Sequence, residues 1–188
     1  MTKNTRAKIT YYWIKQRSET WYNLRKNLWT GSTIIELLKG KTTIPEFSDY
    51  DNLYMKRGRM LESLAIEAYI CETYINNTKN IGNVKFPGFV TNSKYPNAGY
   101  SPDGLDGNIL LEVKCLNGEH HEDLVRGNIP PQYMAQIQFG LMITGHKYAK
   151  LIAYNPDSSN GLAVILIKRD MRIRNNIKKK LLMVAKNN

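Results

Sequence analysis

The residues best suited to chemistry lie together in the segment 101–114, which reads SPDGLDGNILLEVK. Asp103 comes before an Asp-Gly-Asn turn signal, and Glu112 and Lys114 follow it in a short apolar stretch. Residues two apart in a strand point to the same face, so Glu112 and Lys114 should project together while Val113 points into the core. Two carboxylates suit a hard cation such as Mg²⁺, and a lysine adds a positive charge beside the reacting groups. The segment therefore predicts metal-dependent phosphodiester hydrolysis.

An incidental ion pair on a surface hairpin is the alternative, because Glu-x-Lys occurs often by chance. Two features favour chemistry. Pro102-Asp103 stands ahead of Glu112 and across a turn, and charged side chains on an apolar strand cost desolvation free energy unless a partner matches them. We therefore interpret the segment as a catalytic hairpin similar to the PD-(D/E)xK pattern of nucleases.

The net charge of +11 is unevenly distributed along the chain. Residues 1–60 carry 12 Lys and Arg against 5 Asp and Glu, residues 166–188 carry 8 against 1, and the middle carries 7 against 10. Basic flanks around an acidic centre suit a protein that holds a polyanion while carboxylates bind cations. A solvated, lysine-rich surface would give the same composition, so charge alone only favours nucleic-acid binding.

Length and composition predict one globular domain over residues 1–188, since 42% of the residues are hydrophobic. Cys71 and Cys115 lack the paired spacing of a zinc or iron–sulfur site, which indicates free thiols in a reducing compartment. The sequence shows neither a leader pattern nor an apolar run of about 18 residues. We therefore expect a soluble cytoplasmic protein.

Helical patterns dominate the first part of the chain. The predictions are a helix over 18–28 with Ser18 as N-cap, a short helix over 31–39 ended by Gly40, a loop over 41–51, and a long helix over 53–75. Apolar spacing gives the long helix the following buried face: Leu53, Met60, Leu61, Leu64, Ala65, Ala68 and Tyr69.

Short apolar stretches bounded by Pro, Gly and Asn predict strands in the second part. They lie at 84–91, 99–105, 109–115, 148–154 and 162–168, with a hairpin turn at 106–108. Two more helices are predicted, one over 130–143 and one marked by Ile173, Ile177, Leu181 and Val184. This order predicts an α/β sandwich around a central mixed sheet.

Several segments, in order from about residue 20 to residue 170, resemble the lambda exonuclease family, also described as YqaJ-like viral recombinases of the PD-(D/E)xK nuclease superfamily. The resemblance rests on Trp21-x-x-x-Arg25 followed by Trp-Thr-Gly-Ser32, Gly58-Arg59-Met60-Leu61-Glu62, Ser101-x-Asp103, Glu112-Val113-Lys114-Cys115, Tyr133-Met134-Ala135-Gln136-Ile137-Gln138 and Tyr154-Asn155-Pro156-Asp157. It implies a single-domain, restriction-endonuclease-like fold with a central mixed β-sheet flanked by helices.

The resemblance also implies a metal site. Asp103 and Glu112 would bind one or two Mg²⁺ ions, for which Mn²⁺ would substitute, and the backbone carbonyl of Val113 would be a further ligand. Lys114 would orient or activate the nucleophilic water. Glu62 would reach the metal through a water molecule from the long helix.

Four other residues complete the implied site. Gln136 would line the metal site, and Arg25, Ser32 and Ser101 would bind a terminal 5′-phosphate. Considered as isolated residues, Glu62 and Gln136 could face solvent and Arg25 could be an ordinary surface arginine. A guanidinium is nevertheless the natural clamp for a phosphate.

The function implied by the resemblance is 5′-to-3′ degradation of linear double-stranded DNA. It would be carried out by a homo-oligomer, a ring-shaped trimer, beside a single-strand annealing protein, and the gene would belong to a phage or virus. Three alternatives stay open: a PD-(D/E)xK endonuclease, a Cas4-like single-strand nuclease, and a non-catalytic DNA-binding module. The sequence lacks the set of cysteines that would hold an iron–sulfur cluster, which disfavours the Cas4-like alternative.

Two groups of residues receive structural interpretations. His120 and His121, beside Glu119, Glu122 and Asp123, are predicted to lie in an exposed loop rather than to bind a metal. The aromatic residues at 11–13 and 21–22 could stack on bases, but packing in the core or at an interface is the preferred interpretation for most of them.

Overall fold

The computed structural model describes residues 7–46, 53–76 and 84–185. The strands in these ranges are β1 (Ile9–Tyr12), β2 (Val84–Lys85), β3 (Phe89–Asn92), β4 (Gly99–Tyr100), β5 (Gly104–Asp106), β6 (Ile109–Lys114), β7 (Tyr148–Tyr154) and β8 (Leu162–Lys168). The helices are α1 (Glu19–Arg25), α2 (Ile34–Leu38), α3 (Leu53–Asn76), α4 (Gly118–Val125), α5 (Pro131–Thr144) and α6 (Met171–Val184).

Two sheets form the centre of the molecule. Five strands pair in the order β2-β5-β6-β7-β8, and this sheet is mixed because β6 and β7 run parallel while the other neighbours run antiparallel. The smaller sheet is antiparallel, in the order β1-β3-β4. Helices pack on both faces of the mixed sheet. The predicted α/β fold with a central mixed sheet is therefore confirmed.

The alternation of side chains along β6 separates two apolar clusters. Leu110 belongs to the larger cluster, which is built with α2, α4, α5 and α6. Leu111 and Val113 belong to the smaller cluster under α3. Because side chains in a strand alternate, Glu112 shares the face of Leu110 and points toward α5.

Several predicted elements are confirmed. The long helix, α5, β7, β8 and α6 lie where the patterns placed them, and the Ser18 side chain caps α1 by accepting the N–H of Trp21. The first two helices are shorter than predicted. Asn27 and Gly40, with φ of +63° and +104°, take left-handed conformations just beyond them. Only residues 41–46 of the predicted loop lie within the described residues.

Two predicted strands are wrong as continuous elements. The stretch 84–91 divides into β2 and β3, and 99–105 divides into β4 and β5, and in both cases the two halves join different sheets. Pro87 and Pro102 stand at the breaks, where proline offers no N–H to a ladder. Gly88 is also required, because a Cβ there would overlap the carbonyl oxygen of Ile14.

The prediction of an exposed loop at His120 and His121 is wrong. These residues lie in α4, and His121 is fully buried with its Nε2 2.8 Å from the carbonyl oxygen of Asn160. The helix has only eight residues and a mostly polar sequence, so apolar periodicity does not reveal it. Strand β1 was likewise absent from the prediction.

The buried face of α3 also differs from the predicted one. The side chains toward the sheet are those of Ala65, Ile66 and Tyr69, and Glu62 lies on the same side because it precedes Ile66 by four residues and Tyr69 by seven. Three residues of the predicted face are exposed by 81%, 76% and 46%: Leu53, Met60 and Leu64. Among the described residues, no helix is both long and apolar enough to cross a membrane.

Candidate active site

The β5–β6 hairpin brings the two predicted metal ligands together. Gly104 pairs with Leu111 in the antiparallel register, so Asp103, just before β5, lies beside Glu112 on the neighbouring strand. The Asp103 carboxylate accepts the backbone N–H of Val113 at 2.7 Å. This bond holds the carboxylate against β6, and the register of one hairpin therefore positions both acidic side chains.

Glu112 is the centre of a buried hydrogen-bond network, and only 1% of its surface is exposed. Its Oε1 accepts from Lys114 Nζ at 2.7 Å and from Gln136 Nε2 at 2.6 Å. Gln136 Oε1 in turn accepts from Lys114 Nζ at 3.3 Å, and the Lys114 ammonium lies 4.9 Å from the ring centroid of Tyr133. The predicted residues of β6 and α5 thus contact one another directly.

Tyr100 is a member of this network that the sequence did not reveal. Its hydroxyl donates to Glu112 Oε2, and its buried ring packs edge-on against Phe139 at a centroid distance of 6.1 Å. Burial, together with the negative charges of Glu112 and Asp103, raises the pKa of Tyr100 well above its usual value. The hydroxyl therefore keeps its proton and remains a donor.

Glu62 approaches the same network from α3. Burial raises its pKa, Arg17 opposes that rise and Glu112 adds to it. The helix is fastened near this point by Arg57, whose Nη2 donates to Asn155 Oδ1 and Asp157 Oδ2, both at 2.9 Å. The turn after β7 therefore contacts α3 and helps to fix where Glu62 lies.

The cluster formed by Glu62, Asp103 and Glu112, called here the carboxylate cluster, is short of positive charge. Burial raises the pKa of Asp103 well above its usual value, and the neighbouring carboxylates Glu112 and Glu62 raise it further. Burial alone would lower the pKa of Lys114, but Glu112 and Asp103 raise it above the ordinary value. Lys114, with Arg17 acting on Glu62 from the edge of the site, faces three carboxylates, an arrangement that a divalent cation would stabilise.

The donor set fits a hard cation such as Mg²⁺. Asp103 Oδ2 and both oxygens of Glu112 accept protein hydrogen bonds, and each carboxylate oxygen can accept more than one bond. In the part of the chain that the structure describes, no three His, Cys, Asp or Glu side chains are close enough to bind one ion. Asp103 and Glu112 would therefore need the carbonyl of Val113 and water to complete six oxygen ligands.

A second polar group, called here the Arg25 cluster, consists of Arg25, Thr30, Ser32 and Ser101. Arg25 Nη1 donates to Ser101 Oγ at 3.4 Å, and Nη2 donates to Ser32 Oγ at 3.2 Å and to Thr30 Oγ1 at 3.4 Å. The structure thus brings together the three residues predicted to bind phosphate and adds buried Thr30. The guanidinium of Arg25 and three hydroxyl groups thus lie together, an arrangement that suits an anion with several oxygens.

Trp21 holds the Arg25 cluster in place. Its indole Nε1 donates to Ser101 Oγ at 2.9 Å and to the carbonyl oxygen of Gly88 at 3.0 Å, and the Arg25 guanidinium stacks 4.0 Å from the ring centroid. Burial lowers the pKa of Arg25 to about 10, so the side chain is still charged at neutral pH. Trp21 belonged to the sequence motif, but its two hydrogen bonds were not predicted.

The two clusters pack against each other through Gly31. A Cβ at this position would lie 2.8 Å from Cε2 of Tyr100 and 3.2 Å from Cγ of Gln136. Only glycine lets the segment with Thr30 and Ser32 approach the residues around Glu112 this closely. The spacing of Trp-Thr-Gly-Ser therefore has a packing reason.

A family model of the YqaJ-like viral recombinase domain matches residues 22–147 of the chain. This match covers every residue predicted for the site. No curated protein sequence matches the chain significantly.

Solved structures share the fold. The crystal structure of LHK-Exo in complex with dAMP is 24% identical, with a TM-score of 0.74 over 90% of this chain and 92% of that one. The alkaline exonuclease LHK-Exo from Laribacter hongkongensis is 23% identical, with a TM-score of 0.69 and the same coverage. A phage-related exonuclease from Haemophilus somnus 129PT is 14% identical, with a TM-score of 0.54 over 92% and 87% of the two chains. At these identities the likeness establishes a common fold.

Proposed function

Because the chain belongs to the YqaJ-like viral recombinase domain family, we propose that it is a Mg²⁺-dependent exonuclease that degrades linear double-stranded DNA from 5′-phosphorylated ends. One observation carries the proposal. Ser101 belongs to the Arg25 cluster and Asp103 to the carboxylate cluster, and these residues are two apart on one segment. Two residues span at most about 7 Å of backbone, a length comparable to the spacing of neighbouring phosphates in a DNA strand.

The Arg25 cluster would hold the terminal phosphate. A terminal phosphate has one more negative charge and more free oxygens than an internal phosphodiester, so a guanidinium fork with several hydroxyl groups favours it. The next phosphodiester along the strand would then lie over Asp103 and Glu112. This arrangement measures one nucleotide from the end, which is what an exonuclease releasing mononucleotides requires.

The residues around Glu112 would prepare the scissile phosphodiester for attack by water. Asp103, Glu112 and the Val113 carbonyl would hold Mg²⁺, which when bound polarises the phosphate and lowers the pKa of water. Lys114 would place a fixed positive charge beside the phosphate, where negative charge develops in the transition state. Gln136 and Tyr100 would keep the Glu112 carboxylate in one orientation, since each donates to it.

The direct test is digestion of a linear duplex and of a covalently closed circle with Mg²⁺. The wild type should degrade the linear duplex only, with Mn²⁺ also effective. Ca²⁺ should support binding without turnover, because its coordination is longer and looser. Asp103→Ala and Glu112→Ala should abolish digestion while DNA binding persists.

The outcomes separate the alternatives. Cleavage of the closed circle would indicate an endonuclease, and digestion restricted to single strands would indicate a Cas4-like activity. Binding without cleavage under any divalent cation would indicate a DNA-binding module. Near-normal digestion by either alanine variant would remove that residue from the site.

Two partners belong to the same proposal. The chain would assemble with copies of itself as a trimeric ring around DNA, and it would pass the exposed 3′ strand to a single-strand annealing protein in a phage or viral recombination system. Light scattering of the purified protein should then give three times the monomer mass. A monomeric mass in both the presence and absence of DNA would refute the ring.

A further inference from the structure

The turn formed by residues 15–18 is hydrogen-bonded to the segment that contains the catalytic hairpin. Ser18 closes it, because its N–H and its hydroxyl both donate to the carbonyl oxygen of Lys15, at 3.3 and 2.7 Å. The Gln16 side chain donates to the carbonyl oxygen of Pro102 at 2.9 Å. The remaining residue of the turn, Arg17, is therefore held at a fixed place beside the site.

Arg17 adopts a backbone conformation that arginine usually avoids. Its φ is +65°, in the left-handed region, where a side chain other than that of glycine costs stability. Such residues persist only where the surrounding structure enforces them, and they cluster at functional sites. Glycine would fit this turn without strain, so the presence of an arginine side chain needs an explanation.

Arg17 shares a groove with acidic residues of the site. The groove, of about 650 Å³, is lined by Arg17, Glu62 and Asp103, and it also contains Glu67 and two further basic residues, Lys15 and Arg59. Burial raises the pKa of Glu62, and the positive charge of Arg17 lowers it. Burial lowers the pKa of Arg25, and the charge of Arg17 lowers it further. Arg17 therefore lies near both clusters. Its side chain is exposed, and within the described ranges no carboxylate lies within ion-pair distance of its guanidinium.

We propose that Arg17 is a substrate-contacting residue whose guanidinium binds a non-bridging oxygen of the phosphodiester to be cleaved, from the solvent side of the site. This inference rests on the proposed exonuclease function. In the proposed function Mg²⁺ and Lys114 balance the charge of the carboxylate cluster as a whole, but Glu62, which lines the same groove as Arg17, still repels an approaching phosphodiester. A guanidinium at the open edge offsets this repulsion and can donate two parallel hydrogen bonds to the phosphate.

The test compares Arg17→Gly with the wild type on duplexes that end in 5′-phosphate or 5′-hydroxyl. Loss of a charge-assisted contact should lower kcat/KM by about 10- to 100-fold on both ends. The ratio between the two ends should stay within about threefold of the wild type, because the Arg25 cluster is intact. Arg25→Ala should behave in the opposite way and lose the preference for 5′-phosphate.

Binding and stability distinguish contact with DNA from a structural role. Without a divalent cation, Arg17→Gly should reduce the slope of log affinity against log salt concentration by about one, the effect of one lost phosphate contact. The unfolding temperature should be no lower than that of the wild type, because glycine relieves the left-handed backbone. Arg126→Ala is the matched control: it removes an exposed arginine at the C-cap of α4 that pairs with Asp123, and it should change none of these quantities.

Each result has a definite meaning. If the wild type digests DNA and Arg17→Gly is within about twofold of it, or keeps the full salt slope, the inference is refuted while the proposed function stands. Loss of the 5′-phosphate preference in Arg17→Gly would also refute it, because Arg17 would then act on the terminal phosphate. If the wild type digests no DNA, the proposed function itself fails. Arg17→Asn, which also tolerates a left-handed backbone, repeats the test if the glycine variant is unstable.

Discussion

Tyr100 links the carboxylate cluster to the apolar core, because its ring is buried while its hydroxyl donates to Glu112. Tyr100→Phe keeps the ring but leaves Glu112 Oε2 without this donor. We expect the free energy of unfolding to fall by about 1–3 kcal/mol and cleavage to fall by roughly tenfold or more. Chemical denaturation and initial digestion rates measure the two effects.

Tyr95→Phe is the matched control for this substitution. Tyr95 is also buried, and in the described part of the chain its hydroxyl makes no side-chain hydrogen bond. Its replacement should change stability by less than about 1 kcal/mol and leave cleavage unchanged. If the two phenylalanine variants behave alike, the Tyr100 hydroxyl does not hold Glu112 in place.

Lys114 provides a second prediction at the level of single side chains. Only 17% of its side chain is exposed, and it donates to both Glu112 and Gln136. Lys114→Ala should lower kcat by about 100- to 1,000-fold, because a fixed charge beside the reacting phosphate is lost. DNA affinity should be nearly unchanged. A variant that retains cleavage within about tenfold of the wild type would exclude this role.

Helix α5 approaches the site through Gly140. A Cβ on Gly140 would lie 2.6 Å from Cζ of Tyr100 and 2.8 Å from Cδ2 of Leu110. Gly140→Ala should therefore destabilise the protein by about 1–3 kcal/mol, although alanine is the better helix former. The measurement is the midpoint of denaturant-induced unfolding.

Gly58 on α3 offers the control for this helix substitution. Nothing lies within 4 Å of a Cβ added at Gly58, so Gly58→Ala should stabilise the protein by about 0.5–1 kcal/mol through helix propensity alone. Opposite signs for the two variants are expected. Stabilisation by both would mean that α5 does not pack on Tyr100 as closely as described.

The elements differ in how well the sequence predicts them, and the reason is the range of the interactions that form them. The β5–β6 hairpin could be predicted because its turn and its alternation are local. The division of 84–91 and 99–105 between two sheets could not, because it depends on pairing with β1, whose partner β3 lies far along the chain. The buried face of α3 was misjudged because Glu62, a charged residue, lies on the side toward the sheet.

The same reasoning applies to the site. Asp103, Glu112 and Lys114 could be predicted from spacing because one hairpin positions them. The contact of Arg25 with Ser101 joins residues 76 apart, and only the resemblance to a family predicted it. Tyr100 gave no signal, because a tyrosine beside a strand end is equally compatible with a purely structural role.

For the molecule as a whole, the basic flanks predict a strong dependence of DNA binding on salt. The net charge is +11, with the excess in the first 60 and last 23 residues. Each phosphate contact releases counterions, so affinity for duplex DNA should fall at least about tenfold between roughly 50 and 200 mM salt. Fluorescence anisotropy of a labelled duplex without divalent cations measures this dependence. A flat response would mean that the flanks do not contact the DNA backbone.

The most direct test of the account is to follow the digestion of a linear duplex with Mg²⁺. One strand carries a label at its 5′ terminus, and the other strand carries a distinguishable label at its 3′ terminus. Because the Arg25 cluster is proposed to hold the terminal 5′-phosphate one nucleotide away from the carboxylate cluster, the 5′ label should be released first, as a mononucleotide. The 3′ label should remain on long fragments until late in the reaction, and Asp103→Ala should release neither label. Release of the 3′ label first, or early appearance of internal fragments, would contradict the account.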